Sequence, residues 1–260
     1  MKEKKIICIV QARMSSKRLP GKTLIEIQGK TCIERVLERI GKSKKIDQTW
    51  VATSIDKTDD ELSKFLKDRR FNVYRGALDD VLSRYTEIAK KIMPKYIVRI
   101  TGDCPLIDSS IIDDVIKKGL ETNADYVSNT IIRTYPDGLD VEFFKTECLF
   151  KAEAFSNNPV MREHVTPYLS GNLSTIYECG NFIREQVKNN KNYSHYRWTL
   201  DVPEDLKLMN IIFQELNDYC SWQQVINLFK KNPQLRDINK HIKHNEGTKI
   251  SIQKYKIDTK

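Results

Sequence analysis

Hydrophobic positions change their period repeatedly over the first half of the chain, and that alternation is the first clue to its fold. KKIICIV (4–10) is a short, nearly continuous apolar run, the pattern of a strand covered on both faces. After a polar loop, Ile33, Val36, Leu37 and Ile40 recur at helical spacing, with Thr31 and Glu34 placed for a capping box. QTWVATS (48–54) reads as a second strand, and Thr58 with Glu61 as the capped start of another helix. FNVYRG (71–76) reads as a third strand, followed by a helical stripe of Leu78, Val81, Leu82, Tyr85, Ile88, Ala89 and Ile92. KYIVRIT (95–101) is a fourth, and Ser110 with Asp113 opens a helix carrying Ile112, Val115 and Ile116. Four strand–helix alternations predict an α/β domain, a mostly parallel sheet covered on both faces. Ligands of such sheets sit beyond the carboxyl ends of the strands, so the loops at 11–22, 54–57, 75–79 and 101–108 are where chemistry is expected.

Beyond residue 125 the pattern becomes irregular. DYVSN, LDVEFF and STIYE read as strands around a helical stretch near 145–170, and YRWTL (196–200) as another strand. VPEDLKLMNIIFQEL reads as a helix, with Pro203 early and Glu204 and Asp205 in its first turn. Past His244 the chain is polar, lysine-rich and without periodicity. Residues 245–260 are therefore expected to be a basic, loosely ordered tail whose deletion leaves turnover near normal.

Composition narrows the function. The 260 residues are 40% hydrophobic and 30% charged, which excludes disorder and low complexity. No apolar run approaches the roughly 20 residues that span a bilayer, and the opening MKEKKIICIV is too short in its apolar part for a signal peptide. Six scattered cysteines without a CxxC pair fit a reduced, cytoplasmic chain without a zinc site. The net charge of +9 sits at the ends: residues 1–22 hold seven basic side chains and one acidic, residues 226–260 nine and three. The middle is slightly acidic, which argues against a general nucleic-acid surface.

QARMSSKRLPGKT (11–23) places Arg13, Lys17, Arg18 and Lys22 in one connection without an acid. Such a loop suits a triphosphate, whose oxygens take charge-assisted hydrogen bonds from Lys and Arg. It is not a Walker loop: Ser16 stands at the first glycine, Pro20 removes a backbone donor, and the helix begins well beyond Lys22. Two acids at strand ends, Asp103 in ITGDCPLID and Asp201 in RWTLDVPEDL, could hold a magnesium ion bound to phosphates. In GLDVEFF, Asp140 and Glu142 share one face, and REHVTPY gives His164 polar company from Arg162 and Glu163.

Together QARMSSKRLPGKTL, RGALDDVLSRY, VRITGDCPLID, DGLDVEFF, REHVTPY and RWTLDVPEDL resemble, in this order, the SpsF-like cytidylyltransferases, a group related to the acylneuraminate and deoxy-octulosonate cytidylyltransferases. The resemblance runs from the first strand to about residue 243. Where that family often has Gly-Ser after Arg-Met, this chain has Ser15-Ser16; both are small, and the loop is expected to survive. The resemblance implies a Rossmann-like three-layer α/β/α nucleotidyltransferase fold over residues 1–244, with an irregular strand region inserted. It also implies transfer of CMP from CTP to a hydroxyl of a sugar or sugar acid, releasing pyrophosphate, for surface or spore-coat polysaccharide. Arg13 and Lys22, and more weakly Arg18, would hold the triphosphate, and Asp103 and Asp201 would hold Mg²⁺. Gln11, Arg75, Asp79, Asp80 and Thr101 would line base and ribose, while Asp140, Glu142, Arg162, His164 and Arg197 would face the acceptor. Residues 128–195 would bind acceptor and form a homodimer. A nucleotide-sugar-dependent glycosyltransferase of similar fold is the alternative, disfavoured because a diphosphate sugar does not need four cations beside the first strand.

Overall fold

The computed structural model describes residues 6–242 and 246–257. Strand β1 (Ile6–Gln11) leads through the basic loop to a small hairpin, β2 (Glu26–Ile27) and β3 (Lys30–Thr31), and helix α1 (Cys32–Ile40). Then follow β4 (Gln48–Ser54), α2 (Asp60–Asp68), β5 (Asn72–Gly76), α3 (Val81–Ile92), β6 (Tyr96–Thr101) and α4 (Ser109–Thr122). The second half holds β7 (Tyr126–Ser128), β8 (Glu142–Lys145), α5 (Thr146–Phe155), α6 (Pro159–His164), α7 (Pro167–Ser170) and β9 (Arg184–Gln186). Helices α8 (Pro203–Glu215), α9 (Trp222–Lys231) and α10 (Glu246–Ile257) complete it.

Seven strands pair in the order β5-β4-β1-β6-β8-β7-β9. The four strands read from the apolar runs are mutually parallel, and β8 reverses between β6 and β7. This is the mostly parallel α/β sheet expected. Along β1, Cys8 and Val10 pack into one core while Ile7 and Ile9 pack into the other, on the opposite face of the sheet. Alternate residues of a strand face opposite ways, so only a strand apolar at every position can serve two cores. The register places Gln11 beside Thr101 at the carboxyl ends of β1 and β6, where the site forms.

The Thr31–Glu34 capping box forms as expected. Two other helix starts differ. Asp56, not Thr58, caps the turn before α2, and Asp108, not Ser110, caps α4. In both, an Asx residue two positions earlier presents a carboxylate to the backbone N–H, a geometry that competes with the Ser/Thr box. STIYE lies in turns, and the third partner of the irregular region is β9. YRWTL is extended but makes only one bridge, Asp137 with Arg197, because its backbone bonds to loops instead of a strand. Residues 246–257 form helix α10, whereas a loosely ordered tail was expected from the lack of periodicity. Its placement comes from polar contacts with α6 and the basic loop rather than from an apolar stripe.

Candidate active site

The basic loop is pinned by buried groups. Asp59, fully buried, accepts the Met14 N–H at 2.7 Å and the Ser54 N–H at 3.0 Å, tying the loop to the end of β4. Thr23 donates to the Arg13 carbonyl at 2.8 Å, and the Ser16 and Gly21 N–H groups donate to the Met14 carbonyl. Gly21 takes φ +71°, the left-handed region that favours glycine. Neither Ser15 nor Ser16 has positive φ, so a glycine is not needed there and the loop tolerates the serine pair.

Lys22 projects from this loop onto both predicted acids, with Nζ at 2.6 Å from Asp103 Oδ2 and 2.7 Å from Asp201 Oδ1. Burial pushes the lysine's pKa down, but the two carboxylates outweigh it and hold the ammonium charged. Burial likewise raises the Asp103 carboxyl, and Lys22 overrides it, bringing it down to about 2. Two acids 98 residues apart in sequence meet because YRWTL docks on the β6 loop: the Leu200 N–H donates to the Asp103 carbonyl at 2.8 Å. Gly138 permits this docking, since a Cβ there would lie 2.5 Å from the Trp198 carbonyl carbon. Behind Asp201, Arg197 joins it at 2.7 Å to Asp205, which is fully buried and also accepts the Asp201 N–H at 2.9 Å. Arg18 approaches Asp201 from the open side at 3.1 Å.

Two cavities adjoin these groups. One, of about 470 Å³, lies over the basic loop and includes Gln11, Arg13, Arg18, Lys22, Asp79, Thr101, Asp103, His164 and Asp201. The other, of about 690 Å³, includes Asp140 and Glu142, and Thr101 and His164 line both. Glu142 is ion-paired with Arg99 and accepts from Tyr126 and Thr166 hydroxyls, each at 2.6 Å. Asp140 is paired with Arg133 at 2.6 Å; burial raises its carboxyl, with Arg133 acting against that. Burial lowers the His164 pKa to about 4, partly countered by Glu163, so the ring is neutral near pH 7.

Four expected site residues are placed elsewhere. Arg75 donates to the Ser54 and Asp56 carbonyls and pairs with Asp60, bracing the end of β5 instead of lining base or ribose. Asp80 caps α3 and binds Arg162, and Arg162 spans Asp80 and Glu153 instead of facing the acceptor. Arg197 is 5% exposed behind Asp201, where it orients that carboxylate. Another acidic group, Asp125 with Glu147 and Cys148, lines neither cavity. Its Asp125 pairs with Lys145, and burial raises the Cys148 thiol to about 12, a poor metal donor.

A cytidylyltransferase family model matches residues 7–238. The chain belongs to the cytidylyltransferase family. It is 30% identical over 237 residues to the spore coat polysaccharide biosynthesis protein SpsF of Bacillus subtilis, covering 88% of this chain and 95% of that protein. It is 36% identical over 247 residues to an uncharacterized protein of Methanocaldococcus jannaschii, covering 92% and 96% respectively. A solved cytidylyltransferase from Leptospira borgpetersenii is similar with a TM-score of 0.82 at 33% identity, covering 89% of this chain and 96% of that one.

Within this cytidylyltransferase fold, several cavity residues escaped the sequence reading. Arg99 reads as an interior strand residue, yet it links Gln11 to Glu142 between the two cavities. An arginine inside the apolar run KYIVRIT was the available signal, because a buried cation needs a partner. Arg133, Glu163 and the residues of α10 carried no such signal. No described helix is long and apolar enough to cross a membrane.

Proposed function

We propose that this cytidylyltransferase transfers CMP from CTP to a hydroxyl of a sugar or sugar acid and releases pyrophosphate. The observation that carries the reading is Lys22 between Asp103 and Asp201, facing Arg13 and Arg18 at the carboxyl ends of the sheet. Both carboxylates converge on one cation and offer hard oxygen donors, the donor chemistry that magnesium takes. Bound by Asp103 and Asp201, Mg²⁺ would offset phosphate charge and polarise the α-phosphate.

Arg13, Arg18 and Lys22 bind the triphosphate and stabilise the charge that develops on pyrophosphate as the bond from the α-phosphorus to its bridging oxygen breaks. Gln11, Asp79 and Thr101 line the nucleoside side of that cavity. The acceptor occupies the larger cavity beside Asp140 and Glu142, and its hydroxyl oxygen forms the new bond to phosphorus. His164 lines both cavities, and its neutral ring can accept a hydrogen bond from that hydroxyl. The Arg99–Glu142 and Arg133–Asp140 pairs leave the acceptor cavity with matched charges, suited to a polyhydroxyl ligand. Similarity to SpsF, a spore coat polysaccharide biosynthesis protein, supports a polysaccharide precursor as product. A homodimer through residues 128–195 belongs to the same reading, supported by exposed Ile131, Ile132, Ile176 and Ile183.

Pyrophosphate release from CTP and Mg²⁺ should appear with at least one member of a panel of sugars and sugar acids. Cleavage of nucleotide sugars with no pyrophosphate from any triphosphate would replace this reading with the glycosyltransferase one.

A further inference from the structure

The family match ends at residue 238, and α10 begins at Glu246. Yet α10 packs against α6 and forms one side of the nucleotide cavity through Gly247, Ile250, Ser251 and Lys254. Its polar contacts go to the groups read as binding triphosphate. Glu246 pairs with Arg18 at 3.0 Å. Ser251, 6% exposed, donates to Glu163 Oε2 at 2.9 Å, and Glu163 pairs with Arg13 at 3.4 Å. The Ser251 hydroxyl also lies 3.2 Å from His164 Nε2. A hydroxyl has one proton, for which Glu163 Oε2 and the Gly247 carbonyl at 3.0 Å compete; while it donates to either, it accepts from the imidazole N–H. That arrangement sets the neutral ring as its Nε2–H tautomer and leaves Nδ1 as the acceptor nitrogen.

With α10 in place the cavity still measures about 470 Å³, inside the roughly 300–1,000 Å³ of ordinary ligand sites. The helix therefore bounds the cavity and does not fill it. Its Lys254 adds a positive charge to a site that takes a polyanion.

We infer that α10 is a nucleotide-binding wall added outside the segment shared with the family, in which Ser251 is a positioning residue that holds Glu163, and through it Arg13, beside the bound triphosphate. The inference rests on the reading of this cavity as the CTP site. It also reverses the expectation that residues 245–260 are dispensable.

Calorimetric titration of CTP with Mg²⁺, in the absence of acceptor, tests it on the full-length protein. Gln253→Pro interrupts the interior of α10 at an exposed position outside the cavity. It should raise the Kd for CTP at least about tenfold, a loss of about 1.4 kcal/mol. Ser251→Ala should raise Kd and the KM for CTP about threefold with little change in kcat, and Ser251→Thr should restore both to within about twofold. Thermal unfolding checks that each variant folds, and the Ser251 pair decides the matter should the proline variant fail. CTP binding as tight as in the unmodified protein, or tighter, in both Gln253→Pro and Ser251→Ala would overturn the wall; tighter binding would make α10 an obstruction. Absence of CTP binding in the unmodified protein would instead sink the nucleotide reading, and the wall with it.

Discussion

The loop after β1 and helix α10 face each other across the nucleotide cavity, and they are held by different means. The loop hangs on backbone hydrogen bonds to the buried Asp59 and Thr23, and its Lys22 is fixed between two carboxylates. Helix α10 is held by side chains: an ion pair between Arg18 and Glu246, which are about one-third exposed, and the single hydroxyl of Ser251. Backbone bonds to buried groups are costly to lose, whereas exposed ion pairs contribute about 0–1 kcal/mol. One side of the site is thus preorganised by backbone bonds to buried groups, and the other is attached by fewer and weaker side-chain contacts.

Substitutions on the fixed side should have the largest effects. Asp103→Ala and Arg13→Ala should each reduce kcat by about 10³-fold or more with the fold retained, since both act on charge at the reacting phosphates. Wild-type turnover in either, in a pyrophosphate-release assay, would remove the carboxylate–cation arrangement from the chemistry. Asp59→Ala touches no ligand but strands the Met14 and Ser54 N–H groups, so it should lower stability by about 2 kcal/mol and raise the KM for CTP. Unchanged urea midpoint and KM would mean that the loop is not held through Asp59.

His164, at the seam between the two sides, gives a pH test. Its folded pKa of about 4 lies below the usual value of 6.5, so between these the unfolded chain binds the extra proton. Its contribution to stability is complete above pH 6.5 and is lost as pH falls toward 4, by about 2 kcal/mol at pH 5. Urea unfolding at pH 7 and pH 5 should show that difference shrinking in His164→Gln; equal slopes in the two proteins would argue for a solvated ring. The smallest effect belongs to the more weakly attached side: Glu246→Gln should change the Kd for CTP by no more than about twofold. A tenfold change would show that this pair, and not Ser251, ties α10 to the cavity.

The unequal legibility of the two regions has the same physical origin. Arg13, Arg18 and Lys22 lie directly after an apolar strand, where parallel-sheet topology alone directs the eye. Glu246, Ser251 and Lys254 lie on a helix whose apolar residues make no stripe, so periodicity carried no information about it. The same distinction runs through the remaining residues. Asp103 and Asp201 were readable as strand-end acids, and both reach the site. Arg75 and Asp80 were equally charged and equally close to a strand end, but local turn geometry claims them as a brace and a helix cap. Arg162 and Arg197 shared motifs with site residues, and their guanidinium groups serve neighbouring carboxylates instead.

By itself the sequence determined the alternating strands and helices, the parallel half of the sheet and the basic loop after the first strand, because these depend on short-range periodicity and local charge. Tertiary structure alone decided that Lys22 would stand between Asp103 and Asp201, that Arg99 would connect the two cavities, and that α10 would line one of them. Each of those depends on contacts between segments far apart in the chain, and a hydrogen bond across 179 residues leaves no trace in the spacing of either partner.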